Sequence, residues 1–198
     1  MDPTLSLFAE TGAYLKGHFR LTSGLHSPEF LQCALVLQHP QYAERLGKAM
    51  AQKLQLSENG IPDVVVDTVV APAMGGLMIG HEVARALGIR SIFTERDAEG
   101  KMVLRRGFTV RPGERCVVIE DVITTGGSTK EVVEVLRALG AVVVAAGSII
   151  DRSGGKADVG VPRVSLVEMN VTAWKPEECP LCAEGVPAVK PGSRPANA

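Results

Sequence analysis

Hydrophobic positions in this chain follow two alternating rhythms. Short, nearly continuous apolar runs at residues 64–70, 91–94, 117–119, 141–150 and 164–171 read as strands buried on both faces. Between them lie stretches with apolar residues at helical spacing. Residues 40–54 carry Tyr42, Leu46, Ala49, Met50 and Leu54 along one stripe, residues 77–87 stop at Gly88, and residues 131–139 carry Val132, Val135, Leu136 and Leu139 before Gly140. Strands alternating with helices predict an α/β fold whose main sheet is parallel and flanked by helices. Ahead of this core, residues 5–14 read as a short amphipathic helix and residues 18–28 as a hairpin punctuated by Ser23 and Gly24. That opening segment is too short for a core of its own. The expected organisation is a small hood packing on the core over 1–38, the core over 39–174 and a Pro-rich tail over 175–198.

Composition narrows the function classes. With 198 residues and 45% hydrophobic content, the chain can bury one sizeable core. Its 21 basic and 22 acidic residues are interspersed, for a net charge of −1, which excludes a general nucleic-acid-binding face. The longest apolar run, 141–146, is far short of the roughly 20 residues of a membrane span. The start Met-Asp-Pro-Thr lacks a basic leader, so a soluble cytoplasmic protein with no membrane partner is expected. Four cysteines in a chain of this size are not a disulfide framework. The pair Cys179-x-x-Cys182 has no further cysteine or histidine at supporting spacing, so free thiols in a turn are expected there and no metal ligand is assigned.

The chemistry concentrates at residues 116–130. The run Val117-Val118-Ile119 stops at two adjacent carboxylates, Glu120 and Asp121, and the chain continues through Thr124-Thr125-Gly126-Gly127-Ser128 into a helix. Glycines let backbone amides approach an anion, hydroxyls add donors, and a helix amino terminus adds a favourable dipole, so this turn suits a phosphate. Paired carboxylates beside it would repel a second phosphate but would accept hydrogen bonds from sugar hydroxyls and stabilise positive charge on a sugar ring. A ribose 5-phosphate meets both demands. The spacing fits neither the G-x-x-x-x-G-K nucleotide loop nor the G-x-G-x-x-G dinucleotide fingerprint.

Residues 117–129 resemble the phosphoribosyl-pyrophosphate (PRPP) signature of type I phosphoribosyltransferases. The pattern Leu21-Thr22-Ser23-Gly24 followed by His26-Ser27-Pro28 and Phe30-Leu31-Gln32 resembles the hood of the orotate phosphoribosyltransferases within that family. The resemblance implies a PRPP site built from Glu120, Asp121, Val122, Ile123, Thr124 and Thr125, continuing through Gly126, Gly127 and Ser128. It implies that Thr124 and Arg152 hold orotate, and that Glu120 and Asp121 serve catalysis. Gly75 and Gly76 stand where the family's pyrophosphate loop lies, although Met74-Gly75 replaces a Tyr-Lys pair and removes a cation. The charged stretch 95–108 resembles the loop that closes over pyrophosphate, with Arg96 and Lys101 as leading cations and Arg105 and Arg106 behind them; it lacks the family's histidine. Lys101 is the catalytic candidate among them. The family further implies Mg2+ carried mainly through PRPP, and a homodimer in which 95–108 serves the neighbouring site. A phosphoribosyltransferase for another base and a non-catalytic PRPP-binding regulator are the alternatives.

Overall fold

A computed structural model describes residues 2–21, 23–55 and 65–191. Thr22, the loop predicted at 57–62, the start of the strand predicted at 64–70 and residues 192–198 lie outside the described residues. The chain divides into two compact units. One comprises the described residues of Met1–Val36 and Asn170–Ala198, the other those of Leu37–Met169.

In the first unit, helix α1 (Pro3–Glu10) starts at Asp2, whose carboxylate accepts the Thr4 amide at 2.7 Å. It stops earlier than the pattern at 5–14 predicts, because Gly12, at φ +64°, turns the chain into strand β1 (Tyr14–Arg20). β1 pairs antiparallel with β2 (His26–Leu31), from Tyr14 opposite Leu31 to Arg20 opposite His26, with an irregularity between Lys16 and Phe19. Helix α2 (Cys33–Leu37), absent from the sequence reading, follows.

The segment after Asn170 is where prediction and structure differ most. His26 and Trp174 exchange backbone hydrogen bonds of 2.8 and 2.9 Å, while Val189 donates to His18 and accepts from Arg20, both at 2.8 Å. Val189, from the segment read as a separate tail, therefore borders β1, and Trp174, read as the last residue of the core, borders β2. These are main-chain bonds along strand edges, which leave no side-chain periodicity to read.

The second unit holds a six-stranded sheet in the order β5-β4-β3-β6-β7-β8. Its members are β3 (Thr68–Pro72), β4 (Arg90–Arg96), β5 (Met102–Leu104), β6 (Arg115–Ile123), β7 (Val142–Asp151) and β8 (Arg163–Glu168). All neighbours are parallel except β4 and β5. The expected mainly parallel α/β sheet is therefore present. Helices α3 (Pro40–Gln55) and α4 (Gly76–Leu87) cover one face and α5 (Gly127–Ala138) the other.

Side chains alternate across the sheet as a strand requires. Val118 and Cys116 join Val132, Val133 and Leu136 of α5 in one cluster with Val70 and Val143. Ile119 faces the other way, where Met50 of α3 reaches Gly147: a Cβ there would meet Met50 Sδ at 2.8 Å and Ile119 Cδ1 at 2.9 Å. Glycine at 147 makes room for the helix.

At the amino end of this sheet, buried Glu114 accepts from Thr68 Oγ1 at 2.5 Å, Arg90 Nη2 at 2.8 Å and the Arg111 amide at 2.8 Å. Burial works upward on its carboxyl, but these hydrogen bonds outweigh it and hold the group below its ordinary range. The entry points of β3, β4 and β6 are fastened together there.

Candidate active site

Strand β6 sets the site. The sequence reading stopped this strand at Glu120, yet it runs on to Ile123, because β7 pairs with it as far as Ile123 opposite Asp151. On its other side the register with β3 ends at Val70 opposite Val118. β3 gives way to residues 73–75, while the carboxyl half of β6, carrying Glu120 and Asp121, extends past it. The chain leaves β3 for β4 on one side and leaves β6 for β7 on the other, so these acids mark the point where the winding of the sheet reverses, the usual ligand crevice of such sheets.

Glycines close that crevice tightly. The Ala73–Met74 peptide bond is cis, and Gly75 lies so near Asp121 that a Cβ would stand 2.6 Å from Oδ1. A Cβ on Gly76 would meet the Ile119 carbonyl oxygen at 2.7 Å. The sequence marks both glycines as backbone contacts for a ligand; the structure shows that they also seat the loop on β6.

Glu120 is buried and Asp121 partly so. Glu120 Oε1 accepts the Asp121 amide at 3.3 Å, and Asp121 Oδ1 accepts the Val122 amide at 2.8 Å. Burial pushes the Glu120 carboxyl well above the usual range, and the neighbouring Asp121 raises it further. Burial raises Asp121 as well, against the lowering pull of its hydrogen bonds to Glu120 and the Val122 amide. Two such neighbours favour one shared negative charge until a cation or a donor set offsets the second. That is an environment poised for sugar hydroxyls, a hydrated metal ion or a positive sugar carbon.

The turn beyond is open to an anion. Thr124, Thr125, Gly127 and Ser128 are exposed, and Gly126, at φ +81°, precedes α5 without a side-chain cap. The Lys130 amide turns back to the Gly126 carbonyl, and among the described residues the first-turn amides before it have no acceptor, as at any uncapped helix start. Gly126 has no room for a side chain, since a Cβ would lie 2.8 Å from Val159 Cγ1. Val122 is half-buried, whereas the Ile123 side chain is in the core and its carbonyl accepts the Arg152 amide at 2.8 Å. Ile123 thus braces the strand, and it tethers Arg152 two residues beyond Asp121 at the same sheet end. Beside it, the Asp151 carboxylate is engaged by Arg163 and by the Ser153 amide.

The segment 95–108 contains the turn and second strand of a hairpin. β4 and β5 pair from Thr94 opposite Leu104 to Arg96 opposite Met102, and Asp97 closes the turn by accepting the Lys101 amide at 2.8 Å. Arg96 forms a two-pronged pair with Glu131 of α5, at 2.8 and 3.3 Å, and also donates to the Gly100 carbonyl. Arg106 and Arg105 face Glu95 at 2.9 and 3.7 Å. The Lys101 ammonium, at the exposed tip, has no ion-pair partner among the described residues. The Glu131 partner escaped the sequence reading, being separated from Arg96 by two strands, β5 and β6.

The phosphoribosyl transferase domain model matches residues 34–180. The orotate phosphoribosyltransferase of Heliobacterium modesticaldum is 55% identical over 193 residues, covering 98% of each chain. The chain belongs to the phosphoribosyl transferase family, in its orotate phosphoribosyltransferase branch. Another relative so named, from Thermotoga maritima, is 51% identical over 95% of this chain and 96% of its own. The crystal structure of orotate phosphoribosyltransferase from Aeropyrum pernix shares 25% identity and a TM-score of 0.65, over 82% of this chain and 92% of that one. The strand-acids-glycines-helix unit at residues 117–129 lies inside the span that the domain model matches.

Proposed function

We propose that the protein transfers the 5-phosphoribosyl group of PRPP to orotate, giving orotidine 5′-monophosphate and pyrophosphate on the route to UMP. The observation that carries this reading is the placement of two raised carboxyls and an uncapped, glycine-entered helix at one sheet end, in a chain more than half identical to relatives of that name.

The open turn of Thr124, Thr125, Gly126, Gly127 and Ser128 holds the 5-phosphate. Glu120 and Asp121 accept from the ribose hydroxyls and stabilise the positive charge that grows on the sugar carbon as its bond to pyrophosphate breaks. A nitrogen of orotate then takes that carbon, and no covalent enzyme intermediate is needed. Arg152 and Thr124 orient orotate, the guanidinium fork meeting its planar carboxylate. Lys101, with Arg96, neutralises the departing pyrophosphate. Oxygen donors crowded enough to resist double ionisation fit Mg2+ held mainly through the substrate, and that ion would polarise the leaving group. The reading includes a homodimer in the cytoplasm, with the 95–108 hairpin serving the neighbouring site.

The test is turnover of orotate with PRPP and magnesium beside hypoxanthine, adenine and uracil. Orotate consumption alone supports the proposal. Turnover of a different base removes Arg152 from its role, and PRPP binding without any turnover makes the protein a sensor.

A further inference from the structure

His18, His26, Cys179 and Cys182 converge within the first unit. Their donor atoms all lie within 4.8 Å of one another. His18 Nε2 is 2.8 Å from His26 Nδ1 and 3.4 Å from Cys179 Sγ, and Cys182 Sγ is 3.2 Å from His26 Nδ1 and 3.8 Å from His18 Nε2. A tetrahedral zinc ion, with bonds of about 2.3 Å to sulfur and 2.0–2.1 Å to nitrogen, separates its donors by roughly 3.3–3.8 Å. Matching it takes a small opening of the two rings, whose nitrogens are now 2.8 Å apart, and a small closing of the widest donor separation, now up to 4.8 Å.

We infer that these residues form a closed Cys2His2 zinc site that clasps the carboxyl-terminal segment to the β1–β2 hairpin. Orientation supports it as well as distance. His18 Nδ1 lies 2.7 Å from the Val186 carbonyl, an acceptor only, so the ring proton sits there and the Nε2 lone pair points into the cluster. The backbone is arranged around the same point. Trp174 is bonded to His26 and Val189 to His18, and the C-x-x-C turn spans the interval between, with the Cys182 amide donating to the Cys179 carbonyl at 3.1 Å. His18, His26 and Cys179 are buried and Cys182 is exposed, which leaves one side for entry.

Binding releases the two thiol protons to solvent, and two thiolates with two neutral imidazoles leave the bound ion without net charge. Tetrahedral S2N2 donors select zinc over oxygen-seeking ions such as magnesium, and four protein ligands leave no open position, so the role is structural. The clasp joins positions separated by most of the chain, where a cross-link restricts the unfolded state strongly.

The experiment uses untagged full-length protein, purified under reducing conditions and analysed for metal. About one zinc per chain is expected, exchangeable for Co2+ with the visible absorption of a tetrahedral thiolate site. Chelation should lower the melting temperature by roughly 5 °C or more. Cys182→Ser and His26→Ala should retain less than about a tenth of the zinc. If these variants do not fold, the metal content, Co2+ spectrum and chelator shift of the unmutated protein decide alone. Failure of reduced protein to take up zinc or Co2+, a Cys179–Cys182 disulfide in its place, preference for a different ion, or full zinc retention in Cys182→Ser would overturn the inference.

Discussion

The Asp121 carboxylate rests on the backbone of Gly75, at a spacing that leaves no room for a Cβ. Loop and carboxylate therefore hold each other in place. Gly75 has ordinary helical torsions, so alanine there strains nothing but the carboxylate. Gly75→Ala is expected to keep fold stability within about 1 kcal/mol while lowering kcat by ~10–100-fold, because Asp121 must swing aside. Gly76→Ala meets a backbone carbonyl that cannot swing, and is expected to cost about 1–3 kcal/mol of stability. Urea melts beside steady-state kinetics separate the two; equal activity loss at matched folded fraction would remove the Gly75–Asp121 contact from the mechanism.

Glu120 carries a raised carboxyl, and the sign of its effect follows. Below the unfolded-state pKa both forms are protonated; as pH rises, the unfolded chain ionises first and stability is lost up to the folded pKa. Glu120→Gln should therefore match the parent below about pH 4 and melt higher above about pH 5, while losing most of its turnover. A variant less stable at neutral pH would contradict the burial argument.

Glu114 carries the opposite sign. Its depressed carboxyl contributes stability above the ordinary carboxylate pKa, which is lost as pH falls through the folded value. Glu114→Gln is expected to cost about 2 kcal/mol at neutral pH, with the difference from the parent shrinking under acid. Orotate turnover per folded molecule should stay unchanged, since Glu114 fastens the amino end of the sheet, away from the carboxyl end that carries Asp121. Thermal melts across acid and neutral pH provide the check.

Lys101 is exposed at the hairpin tip, so Lys101→Ala should leave stability within about 0.5 kcal/mol. Turnover should fall ~100-fold, with PRPP affinity far less affected. Mixing Lys101→Ala with Asp121→Asn subunits tests whether the hairpin serves the neighbouring site. If it does, half the dimers are mixed and each recovers one intact site, restoring about a quarter of parent activity. No recovery would confine Lys101 to its own subunit's site.

The order of strand, paired acids, glycine turn and helix at 117–139 was legible in the sequence because each signal is local: an apolar run, two adjacent charges, residues chosen for a turn, a helical stripe. The continuation of β6 past its acids was not, since it depends on partners in β7 that lie beyond the following helix. The pairing of Arg96 with Glu131 and the fit of Gly75 to Asp121 share that cause.

The sequence alone determined the parallel α/β class, the candidate site on β6 and the branch of the family, all of which rest on short-range pattern. Tertiary structure alone decided what joins the ends of the chain. His18 and His26 sit in a polar hairpin, and Cys179 and Cys182 in a Pro-rich segment, with no spacing to relate them. Main-chain bonds from Trp174 and Val189 to that hairpin, with His18 Nδ1 on the Val186 carbonyl, bring the four side chains to one point. Backbone pairing of this kind is nearly indifferent to side-chain identity, so it leaves no trace in the pattern from which the rest of the fold was read.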